Sequence, residues 1–344
     1  MNSYQRVMNT LAGQPVDRLP VFAVLGAYGG KLTGVDLRTL FSDAAAYVEG
    51  QKAVQAEFGF DLVLTAFDYS VIAEAFGGEV VWSANQVPNM KRPAVKTAAE
   101  ALELPLPDPM RTGRLPMILE ATRQLAARYK EKVPIISALP GPCILPSLLM
   151  GIDQWMEAVL FDPELARKLL DYTASFHVAW ANALLANGAD CLVLTEGMAS
   201  AEIVPRKIFA EQGLPNLRKI CARIKGPKVI SSTGGRMNHV LDLLPGLDGM
   251  VGVIAGSRDD LVEARRLLGP DLTLIGNLDN LALPAASASE MYAMSLERLR
   301  SAAPAGRYIL ANAGADIPQA TPTENLRAMR KAGATVSAEL GFGP

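Results

Sequence analysis

Histidine is almost missing from this chain, which has two, His177 and His239, in 344 residues. Both sit in stretches with helical apolar spacing. His177 therefore reads as a core histidine and His239 as a helix-surface one, although His239 follows closely enough on a strand to overhang its end. Cysteine is scarce as well. Cys143, Cys191 and Cys221 show no C-x-x-C or other ligand spacing, which argues against a thiolate metal knuckle or a disulfide framework and suggests reduced thiols in a cytoplasmic protein. No apolar run reaches the ~18 residues of a membrane span, and the first twenty residues lack a secretory pattern. Charge of one sign is not in excess: 33 Lys and Arg face 35 Asp and Glu, for a formal net charge of −2. That leaves no basic footprint for nucleic acid. A Walker loop, a G-x-G-x-x-G turn and a Ser-His-Asp pattern are all missing. Acid–base chemistry would fall to carboxylates, with tyrosine as a helper.

What is present is a composition 50% hydrophobic, arranged as short apolar runs that alternate with amphipathic stretches. The runs lie at 21–26, 62–68, 134–141, 191–197, 228–235, 249–256, 272–279 and 307–316. They are apolar nearly throughout, as strands buried on both faces are. Between them, "DPELARKLLDYTASFHVAWANALLANGAD" has helical periodicity and an Asn-Gly stop, and "SRDDLVEARRLLG" opens on cap residues and closes on glycine. About eight βα units imply an α/β fold, a (β/α)₈ TIM barrel formed by a single domain over 1–344. A helical lead-in precedes the first run. The proline-rich stretch from 69 to 133 is too long for one helix and reads as an excursion over the barrel mouth.

In such barrels the active site lies at the C-terminal strand ends. The polar residues expected there are Tyr28, Asp68, Tyr69, Glu196, Ser231, Thr233, Asn277, Asp279, Asn312 and Asp316. Any one of them could merely brace a loop; convergence on one mouth is what would make them a site. Ser231 and Thr233 are two apart, so a strand points them to one face.

Several segments resemble one known family over nearly the whole chain: "PVDRLPVF", "DYSVIAEAFGG", "TGRLPMILEA", "GNLDN" and "YILANAGADIPQATPTENLRAM". The chain resembles the uroporphyrinogen decarboxylase superfamily, and within it the corrinoid-dependent methyltransferases. The resemblance implies a methyltransferase that moves a methyl group between a small donor or acceptor and a cobalamin carried by a separate corrinoid protein. No cobalamin-binding D-x-H-x-x-G motif occurs in this chain. The expected partners are thus that carrier and a small molecule, with a homodimer left open.

In the thiol-directed members of the family, a His-x-Cys pair and a later Cys hold zinc. The matching positions here are Ser231, Thr233 and Ala315, none of which is a soft ligand, so zinc is not expected. In the ether-demethylating branch a pair of glutamates is followed by a histidine. Glu196 and Glu211 have that spacing and offer a weak, carboxylate-held metal site as an alternative, but serine stands where the histidine would be. The decarboxylases use an aspartate that matches Asp68, together with arginines near the N-terminus for the substrate carboxylates. The corresponding "AVLGAYGGKLTG" has no arginine.

Methyl transfer is therefore the leading expectation. Decarboxylation of a smaller acid by Asp68 and a non-catalytic corrinoid-, tetrapyrrole- or partner-binding barrel are the rivals. Glu196, then Asp68, are nominated as proton donors, with Tyr28, Tyr69, Ser231, Thr233, Asn277, Asp279 and Asn312 as substrate-binding groups. An amide at Asp68 is expected to reduce turnover rather than stability.

Overall fold

Apolar runs need cover on both faces, and the computed structural model, which describes residues 1–342, supplies it. In chain order the strands are β1 (Val63–Leu64), β2 (Glu79–Val81), β3 (Asn89–Arg92), β4 (Ile135–Pro140), β5 (Cys191–Thr195), β6 (Lys228–Ser231), β7 (Met250–Ile254), β8 (Thr273–Leu278) and β9 (Tyr308–Asn312). Seven of them form one parallel sheet in the order β1-β4-β5-β6-β7-β8-β9. β6, β8 and β9 are buried at every position.

The run at 21–26 does not form the strand expected of it. It contributes a single parallel bridge, Val21 to Leu310. Phe22 N–H donates to Leu310 at 3.0 Å and Asp61 N–H donates to Val21 at 3.1 Å, so the segment still occupies the eighth position between β9 and β1. Its pairing stops there because the next donors go to side chains. Val24 N–H donates to Asn312 at 2.9 Å, and Gly26 and Ala27 N–H donate to Asp316 at 2.9 and 2.6 Å. Several other runs also leave the ladder early, at Leu64, Ser231 and Asn312. The residues beyond them form the loops of the mouth.

The lead-in is the helix Ser3–Ala12, opened by an Asn2–Gln5 capping box. Arg6 on this helix and Arg18 after it both bond the buried carboxylate of Asp61, at 2.8 and 2.7 Å. Asp61 also accepts Val21 N–H, so this cluster fastens the lead-in to the eighth position. The excursion holds a short helix (Ser70–Ala75), the antiparallel hairpin β2–β3 and a helix Ala98–Glu103. It ends before the helix Leu115–Tyr129, which is the regular outer helix returning the chain to β4.

Candidate functional site

A cavity of about 380 Å³ opens at the C-terminal ends of the strands. Strand alternation decides what faces it. Ile136 and Ala138 of β4, Val193 and Thr195 of β5, and Ser231 of β6 line the cavity, with Thr233 two residues beyond Ser231. Val87, Pro88 and Asn89, from the tip and second strand of the hairpin, cover it as the excursion was expected to do.

Asp68 and Tyr69, which follow β1, both line the cavity. Asp68 is buried and its carboxylate is fully engaged. Arg114 grips both oxygens, at 2.7 and 3.2 Å, Ser70 donates a short hydrogen bond, and Val71 N–H donates at 3.1 Å. Arg114 also bonds Glu74 at 2.6 Å and stacks on Trp82, 4.6 Å from the ring centre. The Tyr69 hydroxyl meets the Thr233 hydroxyl at 3.0 Å, bridging the ends of β1 and β6 across the mouth. Burial pushes the Tyr69 phenol up.

Ser231, Thr233 and Ala315 also meet at this cavity. Ser231 Oγ accepts Thr233 N–H at 3.0 Å, and Thr233 adopts φ 62°. Gly314 lies against it at φ 130°, where an added Cβ would come within 2.8 Å of Thr233 Cα, so glycine is required. The three side chains offer two neutral hydroxyls and a methyl group. That set does not fit zinc, which takes thiolate, imidazole or carboxylate. Among the described residues, no group of three His, Cys, Asp or Glu is placed to hold a metal.

Asp316, singled out from the sequence as a strand-end group, lines the cavity too. It accepts the two backbone N–H groups already described and has no cationic partner among the described residues, and burial pushes its carboxyl up to about 7. Beside it lies Tyr47, a residue not anticipated, whose buried hydroxyl finds no hydrogen-bond partner among the described residues. Both approach the space left by Gly26: a Cβ there would lie 3.3 Å from Asp316 and 3.5 Å from the Tyr47 hydroxyl.

The remaining candidates do not line the cavity. Thr195 faces inward, so Glu196 faces out. It is completely buried, and its two oxygens accept Cys143 N–H at 2.8 Å and Met198 N–H at 3.0 Å. Burial raises its carboxyl to about 7. Tyr28 is also enclosed, donating to the Thr321 carbonyl at 2.8 Å. Asn277 donates to the carbonyls of Gly256 and Asp259, and Asn312 braces Val24 and Ala315. Asp279 is exposed and caps its own turn through Leu281 N–H. Glu211 is exposed on an outer groove between helices that Glu196 does not line. His177 is a core residue bonded to the Pro140 carbonyl at 2.9 Å, its pKa lowered to about 4 by burial. Arg114 lies within the segment "TGRLPMILEA", but nothing in the sequence joins it to Asp68, 46 residues away.

Comparison with known proteins places this geometry in a family. Methylcobamide:CoM methyltransferase MtbA of Methanosarcina mazei is 28% identical over 335 residues, covering 94% of this chain and 95% of that protein. A uroporphyrinogen decarboxylase of Anaeromyxobacter sp. is 26% identical over 346 residues, covering 94% of this chain and 96% of the other. The solved structure of a methyltransferase from Methanosarcina mazei shares the fold, with a TM-score of 0.88 at 22% identity over 98% of this chain and 99% of that one. The uroporphyrinogen decarboxylase (URO-D) profile matches residues 2–336, and the chain belongs to that family.

Proposed function

We propose that this protein is a methyltransferase that passes a methyl group between a small molecule in the barrel-mouth cavity and a corrinoid carried by a separate protein. The observation that carries the reading is the cavity wall: among the described residues, no lysine, arginine or histidine lines it. A porphyrinogen presents many carboxylates and calls for arginine forks, which are missing from this wall. Decarboxylation is further disfavoured because Arg114, Ser70 and Val71 already occupy the Asp68 carboxylate. Full-length similarity to proteins named as methylcobamide methyltransferases supports the methyl-transfer side of the choice.

In this reading the cavity positions the methyl-bearing molecule and keeps water away, while the mouth presents it to the corrinoid. Alignment of the donor carbon with its acceptor is the main contribution a barrel of this kind can make. The bridged Tyr69 and Thr233 hydroxyls and Ser231 orient the substrate. Asp68 is held in place by Arg114. Glu196 acts as a positioning residue, tying the loop at 141–143 to the end of β5.

The test is an assay of the purified chain with a reduced corrinoid carrier and candidate methylated compounds, reading the cobalt absorbance. Methylation of the corrinoid, or its reverse, supports the proposal. Release of CO₂ from a carboxylated compound without a corrinoid would favour the decarboxylase. Binding with neither reaction would leave a non-catalytic barrel.

A further inference from the structure

The cavity combines three features that the proposed reaction does not by itself require. Its wall is aromatic: Phe22, Tyr47, Phe67 and Tyr69 all line it. Phe67 and Tyr69 stand nearly perpendicular, with ring centres 5.1 Å apart and an interplanar angle of 68°, so they form a corner of two walls. The charge on the wall is one-sided. Asp68 is matched by Arg114, which it shares with Glu74, whereas Asp316 has no cationic partner among the described residues. Finally, Tyr47 is 1% exposed, and its hydroxyl, unpaired among the described residues, lies near Asp316 at the space Gly26 leaves open.

Aromatic faces attract cations through the ring quadrupole, most strongly when water is excluded. A buried carboxylate without a counterion favours a positive ligand for the same electrostatic reason. We infer that the cavity binds a methylated onium cation, a quaternary ammonium or sulfonium, against Phe67, Tyr69, Tyr47 and Asp316. An anionic ligand would meet an unpaired carboxylate and no cation. A neutral one would offer Asp316 no opposite charge.

The inference deepens the methyl-transfer reading and rests on it for the fate of the methyl group, though not for binding. In the transfer the carbon–nitrogen or carbon–sulfur bond breaks and its electron pair stays with the departing amine or thioether, which leaves neutral. The methyl carbon bonds to a two-electron nucleophile, the reduced cobalt of the corrinoid partner. No proton has to be delivered to the leaving group. This agrees with the placement of Glu196, the nominated acid, outside the cavity wall.

The test is calorimetric titration of the whole chain, without a corrinoid, using choline, trimethylsulfonium and the neutral choline isostere 3,3-dimethylbutan-1-ol. The expected result is that at least one cation binds roughly tenfold or more tightly than the isostere. Asp316→Asn should remove most of that preference. Because Asp316 also holds two backbone N–H groups, Phe67→Leu serves as a second variant; it should weaken the cation several-fold and the isostere little. Equal affinity for cation and isostere, or binding of neither cation, would overturn the inference. The corrinoid assay would still stand by itself as the test of methyl transfer.

Discussion

Two aspartates line the same cavity from either side of the segment at 20–26, and they are held in opposite ways. Asp68 sits in a fork of Arg114, with a serine and a backbone N–H completing its shell. Asp316 has backbone N–H groups and, among the described residues, no cation. A carboxylate whose oxygens are gripped by a guanidinium, a hydroxyl and a backbone N–H is part of the architecture. One held by dipoles alone can change protonation when something charged arrives. The contrast teaches that burial beside a cavity does not mark a reactive acid; what matters is whether its charge is already answered.

The sharpest way to break the comparison is to remove the answer. Arg114→Met would take from Asp68 and Glu74 the cation they share. Loss of one partner from a buried pair typically costs about 3–5 kcal/mol, and urea denaturation should show a loss of that order. Asp68→Asn should also reduce stability, by about 1–3 kcal/mol, because it removes one side of the same pair. The sequence suggested a change in turnover alone; the Arg114 fork is the reason the expectation moves.

Glu196 sharpens the comparison from outside the cavity. Its carboxyl is raised from 4.5 to about 7, so between those values the folded protein binds more protons than the unfolded chain. Stability then falls as pH rises through that window, and the loss is complete above about 7. The stability difference between wild type and Glu196→Gln should therefore shrink by roughly 3 kcal/mol from pH 4.5 to 8. Melting curves on both proteins check this. His177, lowered to about 4, has the opposite sign but is common to both and cancels. Turnover per folded molecule should change less than about tenfold with good and poor leaving groups alike. A loss of ~10²–10⁴ confined to the poor one would restore Glu196 as an acid.

Asp316→Asn should flatten the pH dependence in the same direction, but less, because Asp316 keeps part of its surface open to the cavity. A saturating onium cation should abolish the difference in slope between wild type and variant, since a bound cation holds the carboxylate ionised. The smallest effect belongs to Glu211→Gln. This residue is exposed on the outer groove, so stability should change by no more than about 0.5 kcal/mol and methyl transfer not at all. A clear loss of transfer would revive the carboxylate metal site.

The strands were legible because burial on both faces writes them as apolar runs, but that same property hid their phase. "CLVLTEG" has no polar alternation to say that Thr195, and not Glu196, turns inward. Ser231 and Thr233 do line the cavity together, but β6 ends at Ser231 and Thr233 reaches the cavity from a turn at φ 62°, so strand alternation is not what brings them together. The run at 21–26 looked like a strand because side-chain acceptors for its N–H groups, Asn312 and Asp316, lie some 290 residues away. Tyr47 belongs to the outer helix Ala44–Phe58, where no strand-end rule would seek a cavity residue.

The stacking of Arg114 on Trp82 gives the molecule a built-in optical probe. Of its three tryptophans, Trp155 and Trp180 are buried within outer helices, while Trp82 begins the loop that leads to the covering residues Val87 to Asn89. A guanidinium resting on an indole alters its emission and shields it from collisional quenchers. Movement of the cover away from the Asp68–Arg114 pair would therefore register in one fluorophore against a background of two that stay still. Any displacement of the cover could then be followed without attaching a label.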